Sequence, residues 1–344
     1  MSEERKTGFS GGPGHLVAMG TALVDAGEGR KAAALVRQAL AAAANDRAMR
    51  EAAAIVLSHR VPGFHLGMLA DEARNAAYRS AIERHAVGKT VLDIGAGSGL
   101  LSMIAARAGA AHAYAVEANA TLAETAREIV GANGLADKVT VIGRHSTKLT
   151  REEIGRGADL IVSEIFSHHL VGEGALPSLR HAMRELGRPG ARMLPASASI
   201  RVALAAHQGR RRRPVGKVEG FDLSPFNRHA TLAVDVAAHD PRLELRSTPA
   251  DLFAFDFAAC DFAPEERASV GLASTGGRVD GAVQWIRLRL DEEQDYENVP
   301  GARSHWPLVF HPFDAPLETV PGETVTVEAW RDELRYRLWQ AGTG

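Results

Sequence analysis

Apolar residues recur along this chain at two different periods, and the change of period divides it. Between residue 15 and about residue 60, Leu16, Met19 and Leu23 fall at i, i+3 and i+7, and Leu35, Val36, Ala39 and Leu40 carry a second helical stripe. The run Asp25-Ala26-Gly27-Glu28-Gly29 breaks an otherwise helix-favouring mixture of Ala, Leu, Arg and Glu, so the spacing predicts a helical hairpin followed by a third helix. So small a unit cannot bury its own apolar face, which must meet the rest of the chain or a second subunit.

From Thr90 short apolar runs take over. Val91 to Ile94, Ala113 to Val116, Val139 to Ile142 and Ala158 to Phe166 alternate with amphipathic stretches at 101–108 and 122–133. Strands buried on both faces and alternating with helices predict a doubly wound parallel sheet. After Pro195 the alternation is single, as in Trp285 to Leu290, Thr324 to Val327 and Leu334 to Leu338. The expected fold is α/β plus β. A helical segment covers 1–60, a Rossmann-like domain 61–195, and an antiparallel β-barrel domain 196–344.

Composition narrows the function. Net charge is −2, so the chain lacks the basic footprint of a nucleic-acid binder, and the run Arg210 to Arg213 before Pro214 reads as a solvated loop. No stretch has the length and apolarity of a membrane span and no signal-type core follows the N-terminus, which predicts a cytoplasmic protein. The single cysteine, Cys260, excludes an internal disulfide and a cysteine-based zinc cluster.

The chemistry concentrates at the predicted carboxyl edge of the sheet. Gly95-Ala96-Gly97-Ser98-Gly99 ends the first strand and opens a helix, and its glycines let backbone approach a ligand. The spacing is not the G-x-G-x-x-G of dinucleotide enzymes, and Asp93 lies inside the strand. Glu117 ends the second strand, where a carboxylate can accept from both hydroxyls of a ribose. After the fourth strand, Glu164 and Glu173 stand nine residues apart across a loop that also holds His168 and His169. Two carboxylates so placed can close on one small cation.

The glycine turn resembles the first motif of class I methyltransferases, and Ser163 to Glu173 resembles the double-E loop of protein arginine methyltransferases. Three further stretches agree: His65 to Asn75, Gly220-Phe221-Asp222-Leu223-Ser224, and Ser304-His305-Trp306, which is similar to the family's THW loop with Ser for Thr. The resemblance runs from about residue 64 to 340. It implies an S-adenosyl-L-methionine-dependent arginine N-methyltransferase, releasing S-adenosyl-L-homocysteine.

By the same resemblance Glu164 and Glu173 hold the guanidinium, and His305 paired with Asp71 takes its proton. Arg74 grips the cofactor carboxylate, Gly95 and Gly97 line its methionine portion, and Glu117 meets its ribose. His145 and Ser146 sit at the adenine, with His65 and Asp93 completing the cofactor site. Met68 packs beside both sulfonium and guanidinium. His169 and Trp306 are expected to shape the substrate pocket, as is His168, and no metal is expected because no third ligand stands at suitable spacing.

The chain departs from the family in two places. Ser58 to Phe64 lacks the tyrosines that close over the cofactor, so another lid is expected. The stretch Pro225 to Arg228 leaves little room for the family's dimerisation arm, so a homodimer is expected to use the N-terminal hairpin. Protein-directed members attract arginine- and glycine-rich tails with acidic surface, whereas this chain is nearly neutral and carries four consecutive arginines. Free L-arginine or a small arginine derivative of bacterial secondary metabolism is therefore the preferred substrate. Peptidyl arginine is the alternative, and a non-catalytic scaffold is the reading from a different class.

Overall fold

The computed structural model describes residues 9–43, 45–207, 209, 215–229 and 233–342; the run Arg210 to Arg213 lies outside the described residues. Packing divides the chain into two units. One holds Met1–Leu69, Ile82–Glu164 and His181–Arg192, the other Ala70–Ala81, Ile165–Arg180 and Met193–Gly344. The boundaries expected near 60 and 195 are thus drawn differently. The N-terminal helices share a unit with the parallel sheet, and residues 70–81 and 165–180 count with the antiparallel strands.

The first unit opens with three helices, α1 (Pro13–Asp25), α2 (Gly29–Ala42) and α3 (Arg47–Ser58), followed by a short α4 (Phe64–Leu69) and the start of a connection through α5 (Glu72–His85). Leu16, Val24, Ala32, Val36, Ala39, Met49, Ala52, Ala53 and Val56 form one buried cluster among α1, α2 and α3. Asp46 begins α3 by accepting from the N–H groups of Ala48 and Met49 at 2.8 and 3.3 Å, which satisfies two of the donors a helix start leaves open.

The sheet follows as β1 (Thr90–Ile94), α6 (Leu100–Arg107), β2 (His112–Glu117), α7 (Ala120–Ala132), β3 (Val139–Gly143), β4 (Ala158–Ser163), α8 (Ala175–His181) and β5 (Gly187–Leu194). Its order is β3-β2-β1-β4-β5, with β1 parallel to both β2 and β4. The strand order reverses between β1 and β4, the kind of switch point where open α/β sheets bind ligands.

The hairpin's apolar face, expected to need a cover, finds it within the chain. A Cβ on Gly29 would lie 2.6 Å from the backbone of Ala120 and Thr121, so α2 meets α7 at a distance only glycine allows. Arg30 pairs with Glu124 at 3.0 Å and Arg37 with Glu128 along the same contact.

The second unit is antiparallel. Its strands are β6 (Ser197–His207), β7 (Lys217–Val218), β8 (Phe221–Asp222), β9 (Val234–Val236), β10 (Leu243–Leu245), β11 (Ala250–Asp256) and β12 (Glu265–Ala273), then β13 (Gly277–Arg289), β14 (Asp295–Glu297), β15 (Leu308–Thr319), β16 (Thr324–Asp332) and β17 (Tyr336–Gln340). The part expected as a barrel is built from a seven-stranded sheet, β10-β6-β13-β15-β9 with β11 on β6 and β14 on β13, and a three-stranded sheet, β12-β16-β17. β13 is the spine of the larger sheet. Trp285, Ile286 and Leu288 are all inaccessible to solvent, so its middle is covered on both faces although its alternation reads as half-exposed. No helix among the described residues is long and apolar enough to cross a membrane.

Candidate active site

In the first unit the site is set by strand register. Ile94 pairs with Val116 on one side and Ser163 on the other, and Glu117 pairs with Gly143. Across the carboxyl edge, in strand order, therefore stand the His145-Ser146 turn, Glu117, the Gly95 turn and Glu164. The N–H groups of Gly95 and Ala96 both donate to the Val116 carbonyl, at 2.9 and 3.0 Å, and Gly95, Gly97 and Gly99 take φ of 71°, 53° and 79°. Those left-handed values explain why the motif needs glycine.

Glu117 is 8% exposed; Gly97 N–H donates to its Oε2 at 2.9 Å and Asn119 N–H to its Oε1 at 2.7 Å. Each carboxylate oxygen is thus oriented by one backbone donor and keeps a lone pair for a ligand hydroxyl. Asp93 has a different part. It is 1% exposed, and its Oδ2 accepts from the N–H and hydroxyl of Ser102 at 3.0 and 2.8 Å, pinning β1 to the first turn of α6. It fixes the glycine turn from beneath.

His65 overhangs that turn, its Nδ1 4.0 Å from where a Cβ on Gly97 would be, with the Phe64 ring packed on it at 4.6 Å. Met68 is half-buried on the otherwise uncovered α4. His145 is exposed and accepts the Thr147 N–H at 3.3 Å, capping the short turn that holds the buried Ser146. Glu164 is 9% exposed and follows β4 directly; Ser163 donates its hydroxyl to the Ile94 carbonyl at 3.0 Å, which locks Glu164 beside Gly95.

In the second unit Asp71 is the centre of a buried network. Its Oδ2 accepts from Tyr296 Oη at 2.5 Å, from His305 N–H at 3.0 Å and from His305 Nδ1 at 2.9 Å, while Oδ1 accepts from Arg74 N–H at 2.9 Å. Burial opposes its charge. The donors from His305, Tyr296 and the Arg74 backbone prevail and hold the carboxyl well below the usual carboxylate range. An ionised Asp71 fixes the proton on His305 Nδ1 and leaves Nε2 as the basic nitrogen.

Ser304 donates its hydroxyl to Tyr296 at 2.8 Å and accepts Trp306 N–H at 3.1 Å, so the Ser304-His305-Trp306 turn is tied together by the residue that replaces Thr. Trp306 packs on His305 and Tyr296 at 4.6 and 5.6 Å. Arg74 is 3% exposed, lies 5.2 Å over the Tyr78 ring and donates to Asn75 at 2.8 Å. Tyr296 escaped the sequence reading, since nothing marks the three-residue β14 as part of a site.

Glu173 is exposed, with φ of 49° between Gly172 and Gly174, themselves at 113° and 75°. A non-glycine residue in that region needs its surroundings to hold it. The loop before it is held by Gln284, inaccessible to solvent, whose Nε2 donates to the His168 carbonyl at 3.2 Å and whose Oε1 faces His311 Nε2 at 3.5 Å. Burial, then the neighbouring His168, pushes His169 down to about 4, and burial pushes His311 down to about 3. Both are therefore neutral near pH 7. On the Gln284 side the loop rests on uncharged polar groups.

Residues 79–184 match the family model described as ribosomal protein L11 methyltransferase (PrmA). An arginine N(omega)-methyltransferase from Streptomyces achromogenes subsp. streptozoticus is 38% identical over 292 residues, covering 82% of this chain and 80% of that protein. Protein arginine N-methyltransferase 7 from Danio rerio is 32% identical over 80% of this chain, which spans only 45% of the fish protein's length. Among solved structures, the Trypanosoma brucei PRMT1 enzyme-prozyme complex with AdoHcy superposes with a TM-score of 0.70 at 24% identity, covering 83% of this chain and 99% of that one. At that identity the likeness concerns the fold.

Proposed function

The chain belongs to the protein arginine methyltransferase family, and on that premise we propose that it transfers a methyl group from S-adenosyl-L-methionine to an Nω guanidino nitrogen of free L-arginine or a small arginine derivative. The observation that carries this reading is Glu164, a buried carboxylate at the switch point of the sheet, beside the Gly95 turn and one strand from Glu117.

The residues fit the cofactor. Glu117 has lone pairs left for ribose hydroxyls, the left-handed glycines admit close approach, Ser146 offers a buried hydroxyl, and Arg74 is the cation assigned to the cofactor carboxylate. When bound, S-adenosyl-L-methionine supplies a methyl group on a sulfonium.

A guanidinium is always protonated and its delocalised nitrogens are poor nucleophiles. We assign its capture to Glu164 and Glu173, whose charge-assisted bonds contribute about 1.5–3 kcal/mol each and draw lone-pair density onto one nitrogen. Holding that nitrogen in line removes on the order of 7–11 kcal/mol from the barrier, so positioning outweighs acid-base catalysis. The attacking nitrogen takes the methyl carbon and gives up a proton. His305 Nε2, oriented by Asp71, is the base we assign to it.

Free arginine is favoured over peptidyl arginine because the relative matched over four-fifths of both chains is named for arginine itself, and because a net charge of only −2 gives this chain little overall attraction for basic tails. A cytoplasmic location and a homodimer complete the proposal. Mass spectrometry after incubation with cofactor and L-arginine, and separately with an arginine-rich peptide, tests it. Methyl transfer to L-arginine is expected. Transfer to the peptide alone reverses the substrate choice, and failure to bind S-adenosyl-L-homocysteine favours a scaffold.

A further inference from the structure

Methyl transfer as described leaves the two adjacent histidines of the loop without a role; their rings pack on each other, centroids 4.3 Å apart, and meet different partners beyond that contact. His169 turns toward Gln284 and Tyr336 and is largely buried. His168 turns toward Asp235, with Nε2 3.2 Å from Oδ1.

Strand register fixes this contact. Gln284 pairs with Val309 between β13 and β15, and Val309 pairs with Asp235 between β15 and β9, so the side chains of Gln284 and Asp235 stand on the same face of the sheet. Gln284 holds the His168 carbonyl and Asp235 holds its ring. One row of the sheet therefore grips the residue twice.

Exposure changes sharply along that row. Gln284 and Val309 are buried, whereas the Asp235 side chain is 59% exposed and that of His168 26%. An ion pair so open to water adds little to stability. Among the described residues His168 is the ion-pair partner of Asp235, whose charge also reaches His169.

The pair also stands close to Glu173, because the loop closes on itself. Leu170 N–H donates to the Ser167 carbonyl at 2.8 Å, Ser167 Oγ donates to the Val171 carbonyl at 2.8 Å, and a Cβ on Gly172 would lie 3.7 Å from Ser167 Oγ. Ser167 and Gly172 immediately precede His168 and Glu173, and each chain step adds only about 3.8 Å.

We propose that Asp235 and His168 bind the α-ammonium and α-carboxylate of a free amino-acid substrate whose guanidinium is taken by Glu173. The proposal rests on the arginine-methyltransferase reading and deepens it. With Nε2–H turned to Asp235, the imidazolium form of the ring offers Nδ1–H to the substrate carboxylate. Peptidyl arginine presents neutral amides at both positions. The clamp thus selects the free amino acid.

The test measures kcat/KM of the wild type, Asp235→Asn and His168→Gln on four guanidines: L-arginine, agmatine without the carboxylate, Nα-acetyl-L-arginine without the ammonium, and an arginine-containing peptide. Titration with S-adenosyl-L-homocysteine checks that each variant is folded. The wild type is expected to favour L-arginine over the other three by about tenfold or more, as one charge-assisted bond implies. Asp235→Asn should abolish the preference over Nα-acetyl-L-arginine and keep that over agmatine; His168→Gln should do the converse. Equal wild-type use of L-arginine and the peptide, or both preferences surviving in both variants, overturns the clamp and leaves arginine methylation standing. Methylation of none of the four overturns both.

Discussion

Glu164 and Tyr296 illustrate how a single side chain can be read at different depths. Glu164 sits next to the glycine turn by strand register, so its charge faces whatever the sheet edge holds. Glu164→Gln keeps the shape and one acceptor but loses the charge to which the proposed function assigns polarisation of a guanidinium. Calorimetry with S-adenosyl-L-homocysteine should show near-normal affinity while kcat falls by about 100-fold or more; near-normal turnover removes Glu164 from its role. Tyr296 acts through Asp71. Tyr296→Phe deletes one of the donors that keep that buried carboxylate ionised, a loss of about 1.5–3 kcal/mol. It should lower the thermal midpoint and reduce kcat less than Asp71→Asn does. An unchanged midpoint would show that Tyr296 is a passive neighbour. The two residues also differ in legibility. Glu164 ends an apolar run and carries its position in the sequence, whereas Tyr296 meets Asp71 across 225 residues and no local pattern announces that contact.

At the level of elements, β1, β2 and β4 were legible because each is a largely buried run, and the glycine or acid that closes it marks the edge to which the candidate site is assigned; β3 is only partly buried. Gln284 and His311 were not, since a lone polar residue within β13 or β15 reads as ordinary alternation until a loop is laid on it. Their burial has a measurable consequence. His169 and His311 titrate near 4 and 3 in the folded chain, below the ordinary 6.5, so the unfolded chain binds protons first as pH falls. Stability is therefore complete above about pH 6.5 and declines toward pH 4, by at most about 1.4 kcal/mol per pH unit for each histidine. Below about 3.8 the contribution of Asp71, whose folded value is depressed, is lost as well. Urea unfolding at pH 7, 5.5 and 4.5 should show this slope, and His311→Gln should make it shallower. An identical slope in the variant sinks the assignment.

For the whole molecule, the question left by the sequence is what a second copy would touch. The N-terminal hairpin was the expected surface, but its apolar stripe is covered by α3 and by α7 through Gly29 and Ala120. A different stretch remains uncovered. Val215, Val218, Phe221, Leu223 and Phe226 are 37%, 46%, 72%, 43% and 67% exposed, five apolar side chains within a short segment around β7 and β8. A contiguous patch of that kind on a folded chain marks an interaction site. The pairing Lys217 to Asp222 gives the segment a hairpin that can carry these side chains as a unit. This segment is the surface a second copy would use if the chain pairs with itself. Replacing Phe221 and Phe226 together by Ser removes its two most exposed aromatic rings without touching either buried core. Sedimentation should show the wild type as a dimer and the double variant shifted to monomer, with the unfolding midpoint at low protein concentration unchanged. A variant that stays dimeric, or a wild type that is monomeric throughout, removes the segment from that role.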